Sequence, residues 1–571
     1  MSSTEDAPYF QEIVLLNYLQ WLISDGQIVN FNDSYFKLAE GVTIRVFPED
    51  QLASKESMEN TIDWFLGEYC EKASRRDFDH SRPFDVHRWS EHPEANIFVD
   101  AIYEEFFTGG NANIRKKHLK TVLLDLYLAW REDPTLCIAI ARDVNAYEPG
   151  SRYNSLKISK LTPNILDILI DVGLISQQTG WKDEGGRGFR TRIWPREPLI
   201  ERFKQLDIPL IAIGHHEEKD CIILRDEKRK EIEYDDTDDT NTMREQLRAY
   251  NELISRTFID MPTLEEAFIE MDSEDPDKPS KLYVNQSVAK KFVKRIFNRG
   301  SFEFGGRFYG GWWQNCPSYL RKSIFLNNMP TSEIDFGSMH VAMAYASAGI
   351  NYFDLGIDDP YVLPEFEFFD GDQRKLVKRL MLIALNAKTD AKTYGAFRDD
   401  QPTGSPNKRL TNTQLAEVLD TLKELHEPIS DFIANDAGIR FMRMDSDISN
   451  LVVSHFVEQD IPILVMHDSY SVPLLYRKEL RKIMQSSYQT VMGKYKVKSE
   501  PDRNIFEETL DESMMHGIDM NFFGPENWRQ DEETFESFAK GQIVIDGTTD
   551  RYIREYKQFN EHLRSKEATT E

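Results

Sequence analysis

Near residue 462 the sequence runs PILVMHDSYSVPL, Pro462 to Leu474, and an apolar run ends on His467-Asp468-Ser469. Asp is common where a strand surfaces at a turn, and an Asp brought to a strand end can also hold a metal ion. A second carboxylate of this kind stands in TSEIDFGSMHVAMAYASAGI, Thr331 to Ile350. There Glu333-Ile334-Asp335-Phe336 looks like the end of a strand, and the pattern turns helical from Met339. Asp335 and Asp468 at neighbouring strand ends can hold two Mg²⁺ ions about 3.5–4 Å apart, which activate an attacking oxygen and steady a leaving one. The backbone carbonyl of Phe336 is a further candidate ligand. Mg²⁺, with Mn²⁺ as a substitute, suits one or two carboxylates completed by substrate phosphates. Cations for a triphosphate lie between the two in RKLVKRLMLIALNA, Arg374 to Ala387. Arg374 and Lys378 are four apart and share one helical face. They can grip β- and γ-phosphates and offset charge on a leaving pyrophosphate. Alone, such a pair is an ordinary solvated helix face; its force comes from lying between the two carboxylates.

These residues need a frame, and 571 residues allow roughly two to four domains. No run of about 18 apolar residues is present, so no membrane span is expected. The start, MSSTEDAPYF, lacks the basic-then-apolar order of a signal peptide. Cys70, Cys137, Cys221 and Cys316 are too far apart for a CxxC zinc site, which suits reduced thiols in a cytoplasm. His215-His216, without further ligands at metal spacing, reads as a solvated loop. A net charge of −28 argues against a nucleic-acid partner, but a local basic surface can bind phosphate on an acidic protein. Lys281 to Phe325 holds nine Lys/Arg against Glu303 alone, with Phe302, Phe304, Phe308, Tyr309, Trp312 and Trp313 among them. Interleaved cations and aromatics suit backbone phosphates and base stacking, and equally a basic helix followed by an aromatic core strand.

Along the chain, residues 1–110 read as mostly helical, with helical spacing in QEIVLLNYLQWLI. Over 111–205 an amphipathic helix at Arg115 to Trp130 precedes a second at Leu161 to Ile175, with Thr162 placed to cap it, Pro163 at its first position and Gly173 closing it. SQQTGWKDEGGRGFRTRIWP then reads as a β-hairpin with a glycine-rich tip. Helix, helix and hairpin is the order of a winged helix-turn-helix. Its wing would bring Lys182, Arg187, Arg190 and Arg192 to DNA, though Asp167 and Asp171 on the second helix disfavour base readout. Residues 206–280 read as a linker and helical connector, with acidic loops in KEIEYDDTDDTN and EMDSEDPDKPSK. Residues 281–495 hold the chemistry, and 496–571 form a C-terminal extension.

Taken in order, these elements resemble the polymerase core shared by family A DNA polymerases and the single-subunit RNA polymerases of phages and mitochondria. Asp335-Phe336-Gly337-Ser338 resembles motif A, Arg374-x3-Lys378-Arg379 motif B, and His467-Asp468-Ser469-Tyr470 motif C in its HDS form. GGRFYGGWWQNCP, Gly305 to Pro317, is similar to the element that contacts template and primer, and Asp359-Pro360-Tyr361 to an Asp-x-His/Tyr that follows motif A. The likeness covers roughly residues 290–495. A winged-helix-like segment ahead of such a core also resembles proteins of phages and mobile elements.

The resemblance implies an α+β right-hand palm with reduced fingers, since the spacing from motif B to motif C is short. It implies metals on Asp335 and Asp468, and an incoming dNTP or NTP on Arg374 and Lys378. Arg307, Tyr309 and Gln314 would hold template or primer, and His467 the primer terminus. His340 stands where the DNA polymerases have a Glu that closes off the ribose 2′ position. Asn386-Ala387 stands where the family has Tyr-Gly, the nearest Tyr-Gly being Tyr394-Gly395. Both are nucleotide-binding positions, so the sequence leaves sugar choice open. No acidic set reads as a proofreading exonuclease. The expected function is a template-dependent nucleotidyltransferase of mobile-element type: a DNA polymerase, including one that starts its own primers. The alternatives are a small RNA polymerase or primase, and a DNA-binding replication initiator with a silent palm.

Overall fold

The computed structural model describes residues 76–143, 146–183, 185–271, 280–284, 286–501 and 548–570, together with the short strands Ile28–Asn32, Tyr35–Leu38 and Thr43–Arg45. It is a mixed α/β protein, consistent with the α+β class. Among the described residues no helix is long and apolar enough to cross a membrane.

Most of residues 1–75, on which the helical expectation falls, lies outside the described residues. The three short strands pair as an antiparallel sheet, two more strands follow at Ser81–Pro83 and Arg88–Trp89, and the first helix among the described residues is Pro93–Phe106. The segment QEIVLLNYLQWLI lies outside the described residues.

The helices and hairpin expected over 111–205 are present in an N-proximal module. Its long helix, Ala112–Glu132, buries Leu119, Val122, Leu123 and Leu126 at helical spacing. Strand Cys137–Ile140 and the helix Leu161–Asp171 follow. A sheet then forms with Thr191–Pro195 between Cys137–Ile140 and Ile175–Gln178. Trp181–Lys182 and Gly188–Phe189 make the projecting hairpin tip. Gly173, at φ 75°, closes the second helix as expected. The start differs: the helix opens at Leu161 after Lys160, which offers no side-chain cap, and Thr162 is buried inside the first turn with Pro163 third. Burial of the Thr162 side chain removes it from a capping position.

The helix expected in the connector over 206–280 is present, and the described part of this segment also joins the core. Ile222–Leu224 pairs in parallel with Lys294–Asn298, and the helix Asp238–Ser255 buries Leu247, Tyr250 and Ile254 in the main core. The acidic stretch at 230–241 is loop only as far as Thr237, whose side chain caps that helix, so Asp238 and Asp239 lie at its positive end. Of the acidic stretch at 270–281, residues 272–279 lie outside the described residues, and strands Phe268–Met271 and Ser280–Tyr283 pair across it.

The central six-stranded sheet carries the site. Strand Met329–Gly337 lies between Ser469–Pro473 on one side and Lys498–Pro501 on the other. The short strand Leu464–Met466 turns back on Ser469–Pro473, and Phe325–Leu326 and Ile259–Asp260 extend the other end. Residues 498–501 therefore belong to the sheet and not to an extension beyond 495. Helices Met339–Ser347, Gln373–Asn386, Asp390–Asp400, Asn412–Leu425 and Gly438–Glu458 pack over the same core. The helix Asp550–Thr570 is anchored by Arg551, which donates to both oxygens of buried Asp260 at 2.7 and 2.9 Å, and by Tyr552 and Phe559 against Ile211 and Phe258.

Candidate functional site

The stretch PILVMHDSYSVPL forms a tight hairpin, with Leu464, Val465 and Met466 buried and His467-Asp468 as its two-residue turn. His467 takes a left-handed φ of 63°, a conformation that costs a non-glycine residue energy and clusters at functional sites. The register sets Asp335 opposite Ser469, and opposite residues in an antiparallel pair lie roughly 4.5–5.5 Å apart. The N–H of Phe336 donates to the carbonyl of Asp468 at 3.1 Å. Asp335 and Asp468 are thus brought together at the end of two adjacent strands. Phe336 buries its ring against Tyr470 and Tyr488, so only its backbone is available to the site.

Asp335 is open to solvent at its tip, yet its carboxyl is pushed up to about 8 by desolvation among the surrounding protein and by repulsion from Asp468 and then Glu333, with Lys378 pulling the other way. A carboxyl raised by like charges is in the condition that a divalent cation relieves. The oxygen-only donor pair Asp335 and Asp468 therefore fits Mg²⁺ or Mn²⁺. Among the described residues no group of three or more His, Cys, Asp or Glu is arranged to hold a metal, so the remaining oxygens would come from phosphate and water.

Lys378 faces this pair from the helix Gln373–Asn386, which Asp372 caps by accepting from Lys375 N. Arg374 and Lys378 both lie over the Tyr361 ring, at 5.7 and 5.8 Å from its centroid, and Arg374 pairs with Asp359. Tyr361 is buried and bonds to Ser338, next to the Asp335 strand. Its loop is held by His426: because Pro360 O can only accept, Nε2 of His426 carries the proton (2.8 Å), and Nδ1 accepts from Tyr345 OH (2.9 Å). Asn386 ends the same helix. Its amide donates to Leu382 O at 2.8 Å, and it lines a cavity of about 520 Å³ with Arg299, Arg379, Lys388 and Lys392. Tyr394 is buried in the following helix.

On the other flank, the rings of Tyr309 and His467 meet edge to face at 5.3 Å. Burial and then Arg307 lower the His467 imidazole from its ordinary value, and its Nδ1 is buried without a hydrogen-bond partner. Gln314 is engaged with the backbone: it donates to Phe308 O and Val465 O at 3.0 Å and accepts from Gly310 N at 2.9 Å, tying Ser301–Tyr309 to the hairpin. Arg307 donates through Nε to Asp445 at 2.8 Å and through Nη2 to the same carboxylate. His340 Nε2 lies 2.9 Å from Asp445 and 3.0 Å from Arg307.

Two site residues were not singled out by sequence. Asp445, fully buried on Gly438–Glu458, and Glu333, which accepts from Arg321 at 2.8 and 2.9 Å and from Ser469 Oγ at 2.7 Å, are both carboxylates facing the site from behind. Glu333 had a signal, since it lies two residues before Asp335 and so on the same strand face. Asp445 sits in MDSDIS, where no spacing distinguishes it from a surface acid.

The basic stretch 281–325 is not an open phosphate surface. Lys281 pairs with Asp133, Lys290 with Glu132, Arg299 with Asp436, Arg307 with Asp445 and Arg321 with Glu333. Lys291 and Arg295 are buried on backbone carbonyls. His215 is likewise no solvated loop: its side chain is 6% exposed and bonds Asp85 at 2.6 Å. On the hairpin, Lys182, Arg187 and Arg190 are exposed. Arg192 is buried, donating to Phe78 O and Arg190 O, and so is withdrawn from that surface. Cys137, Cys221 and Cys316 are free thiols.

No protein-family model matches the chain, and no curated protein is significantly similar to it in sequence.

Proposed function

We propose that the chain is a template-dependent nucleotidyltransferase, and specifically a DNA polymerase, whose central sheet and overlying helices act as palm and reduced fingers. The observation that carries this reading is the pairing of Asp335 with the Asp468 turn, with Lys378 directed at them from a cationic helix. Bound Mg²⁺ would supply Lewis-acid activation of the attacking 3′-oxygen and charge stabilisation at the α-phosphate. The chain's own groups do the rest. Asp335 and Asp468 hold the ions, and Arg374 and Lys378 bind the triphosphate and take up charge as pyrophosphate leaves. His467, its imidazole held below its ordinary value and its ring against Tyr309, would stand beside the primer end. In the cavity beside Asn386, Arg299 and Arg379 are paired with Asp436 and Asp400, and Lys392 with the loosely paired Lys388 are the cations that suit the phosphates of a single-stranded template. Lys182, Arg187 and Arg190 suit non-specific contact with duplex DNA.

A small RNA polymerase or primase is favoured by one observation: where the resemblance places the Glu that closes off the ribose 2′ position stands His340, an imidazole bonded to Asp445. Extension of a primed and an unprimed template, with dNTPs or NTPs and Mg²⁺, tests both readings beside Asp468→Asn. Incorporation should fall by about 10²-fold or more in the variant, with the circular dichroism spectrum unchanged. No incorporation by folded wild-type protein under any of these conditions would reject the enzyme in favour of a DNA-binding initiator.

A further inference from the structure

Each of the two candidate metal carboxylates has a guanidinium within electrostatic reach: Arg307 for Asp468, and Arg321 for Asp335. Arginine is always charged and matches a carboxylate bidentately. Left free, each would form an ion pair with the carboxylate that a metal needs. Neither is free. Arg307 is held through Nε and Nη2 by Asp445, and Arg321 through Nε and Nη2 by Glu333. Both holding carboxylates are buried, with side chains 1% and 8% exposed. Burial alone would raise the Asp445 carboxyl, but Arg307 and His340 bring it below its ordinary value. His340 closes the set by bonding Asp445 at 2.9 Å. The same device therefore occurs twice, from different elements: a helix supplies Asp445, and the Asp335 strand itself supplies Glu333.

We propose that Asp445 and Glu333 are positioning residues that hold Arg307 and Arg321 back from Asp468 and Asp335, and so keep those two carboxylates open to a divalent cation. The inference rests on the reading of Asp335 and Asp468 as metal ligands. It assigns no metal contact to Asp445 or Glu333. It also gives Arg307 a fixed orientation: its charge is balanced from behind, so its remaining donors can meet a primer or template strand without closing the metal site.

The test is Mn²⁺ binding by the full chain without nucleotide, with free Mn²⁺ read by electron paramagnetic resonance. Asp445→Asn should weaken binding by about 10–100-fold, the range for residues that orient metal ligands. The double variant Asp445→Asn/Arg307→Gln should return to near the wild-type affinity, because the competing cation is gone. Glu333→Gln and Glu333→Gln/Arg321→Gln should repeat the pattern. Arg307→Gln alone should leave affinity unchanged or tighter, and this variant stays informative if Asp445→Asn fails to fold. In primer extension, Asp445→Asn should raise the Mg²⁺ concentration needed while the rate at saturating Mg²⁺ recovers. Unchanged Mn²⁺ affinity in Asp445→Asn and Glu333→Gln would overturn the proposal, as would a loss that the double variants do not restore. Wild-type protein that binds no Mn²⁺ either alone or with a nucleoside triphosphate would overturn the metal reading itself, a result distinct from the other two.

Discussion

In the N-proximal module, Asp125 is wholly buried between Arg82 at 2.8 Å and Arg88 at 2.9 Å, and accepts a third bond from Asp85 N at 3.1 Å. Asp133 there accepts from Tyr283 OH at 2.9 Å and Thr135 Oγ1 at 2.6 Å, and despite burial its carboxyl is held well below the ordinary range. At the end of the central sheet, Asp335 is raised instead, facing Asp468 and Glu333. One chain thus pairs its buried carboxylates in one region and, in another, sets an exposed and a half-buried carboxylate against each other. Buried charges are normally paired because an unpaired one is costly. A pair of carboxylates left in repulsion, inside a fold that elsewhere supplies a partner, is a feature that a bound cation would explain.

Breaking the first arrangement should have the largest effect on stability. Asp125→Ala leaves buried Arg82 and Arg88 only their longer pairs, with Glu132 at 3.7 Å and Asp85 at 3.3 Å, and should cost about 3 kcal/mol, read as an early loss of the module in thermal unfolding. Incorporation on a primed template, per folded molecule, should survive it.

Relieving the second arrangement should do the opposite. In EDTA, Asp335→Asn should melt higher than wild type at pH 8, and the difference should shrink as pH falls towards 4. The sign follows from proton linkage: a carboxyl with a folded-state value above its unfolded value holds its proton more firmly when folded. The wild-type protein therefore loses stability as pH rises from about 4 to 8. A variant that melts lower at pH 8 would mean that the repulsion is not felt. Saturating Mg²⁺ should raise the wild-type melting temperature and leave that of Asp335→Asn nearly unmoved.

The smallest effect sharpens the comparison at the surface. Replacing Lys182, Arg187 and Arg190 by Gln should weaken duplex binding and lower the slope of log affinity against log salt by about 0.9 for each phosphate no longer neutralised. The same change at Arg192, which is buried on backbone carbonyls, should cost stability and leave the slope unchanged.

Local patterns were the legible part of this protein. The apolar run into His467-Asp468, the strand around Asp335, the cationic face of Arg374 and Lys378, and the hairpin tip between Trp181 and Phe189 are each fixed by a few neighbouring residues. The illegible part is long-range pairing. Nothing near Arg307 or Arg299 indicates that Asp445 and Asp436, 138 and 137 residues away, neutralise them. A basic stretch in sequence therefore became a set of internal ion pairs. The same holds for His215, whose partner Asp85 lies 130 residues earlier, and for residues 222–224, whose strand partner at 295–297 makes an apparent linker part of the core. Thr162 fails for a different reason: its side chain is buried inside the first helical turn, which overrides its capping preference.

Strand Met329–Gly337 needs Ser469–Pro473 on one edge and Lys498–Pro501 on the other, and this has a consequence for synthesis on the ribosome. Residue 335 is made 166 residues before residue 501 (501 − 335). At about 5–20 residues per second, that is a wait of roughly 10 to 30 s. Until Ser469–Pro473 is made, one long edge of the nascent strand is unpaired, and the edge that takes Lys498–Pro501 stays open to the end of the interval, a state open to wrong pairing. The nascent chain also lacks the carboxylate pair, since Asp335 precedes the Asp468 turn by 133 residues. The proposed metal site therefore cannot form before the Asp468 turn has been made.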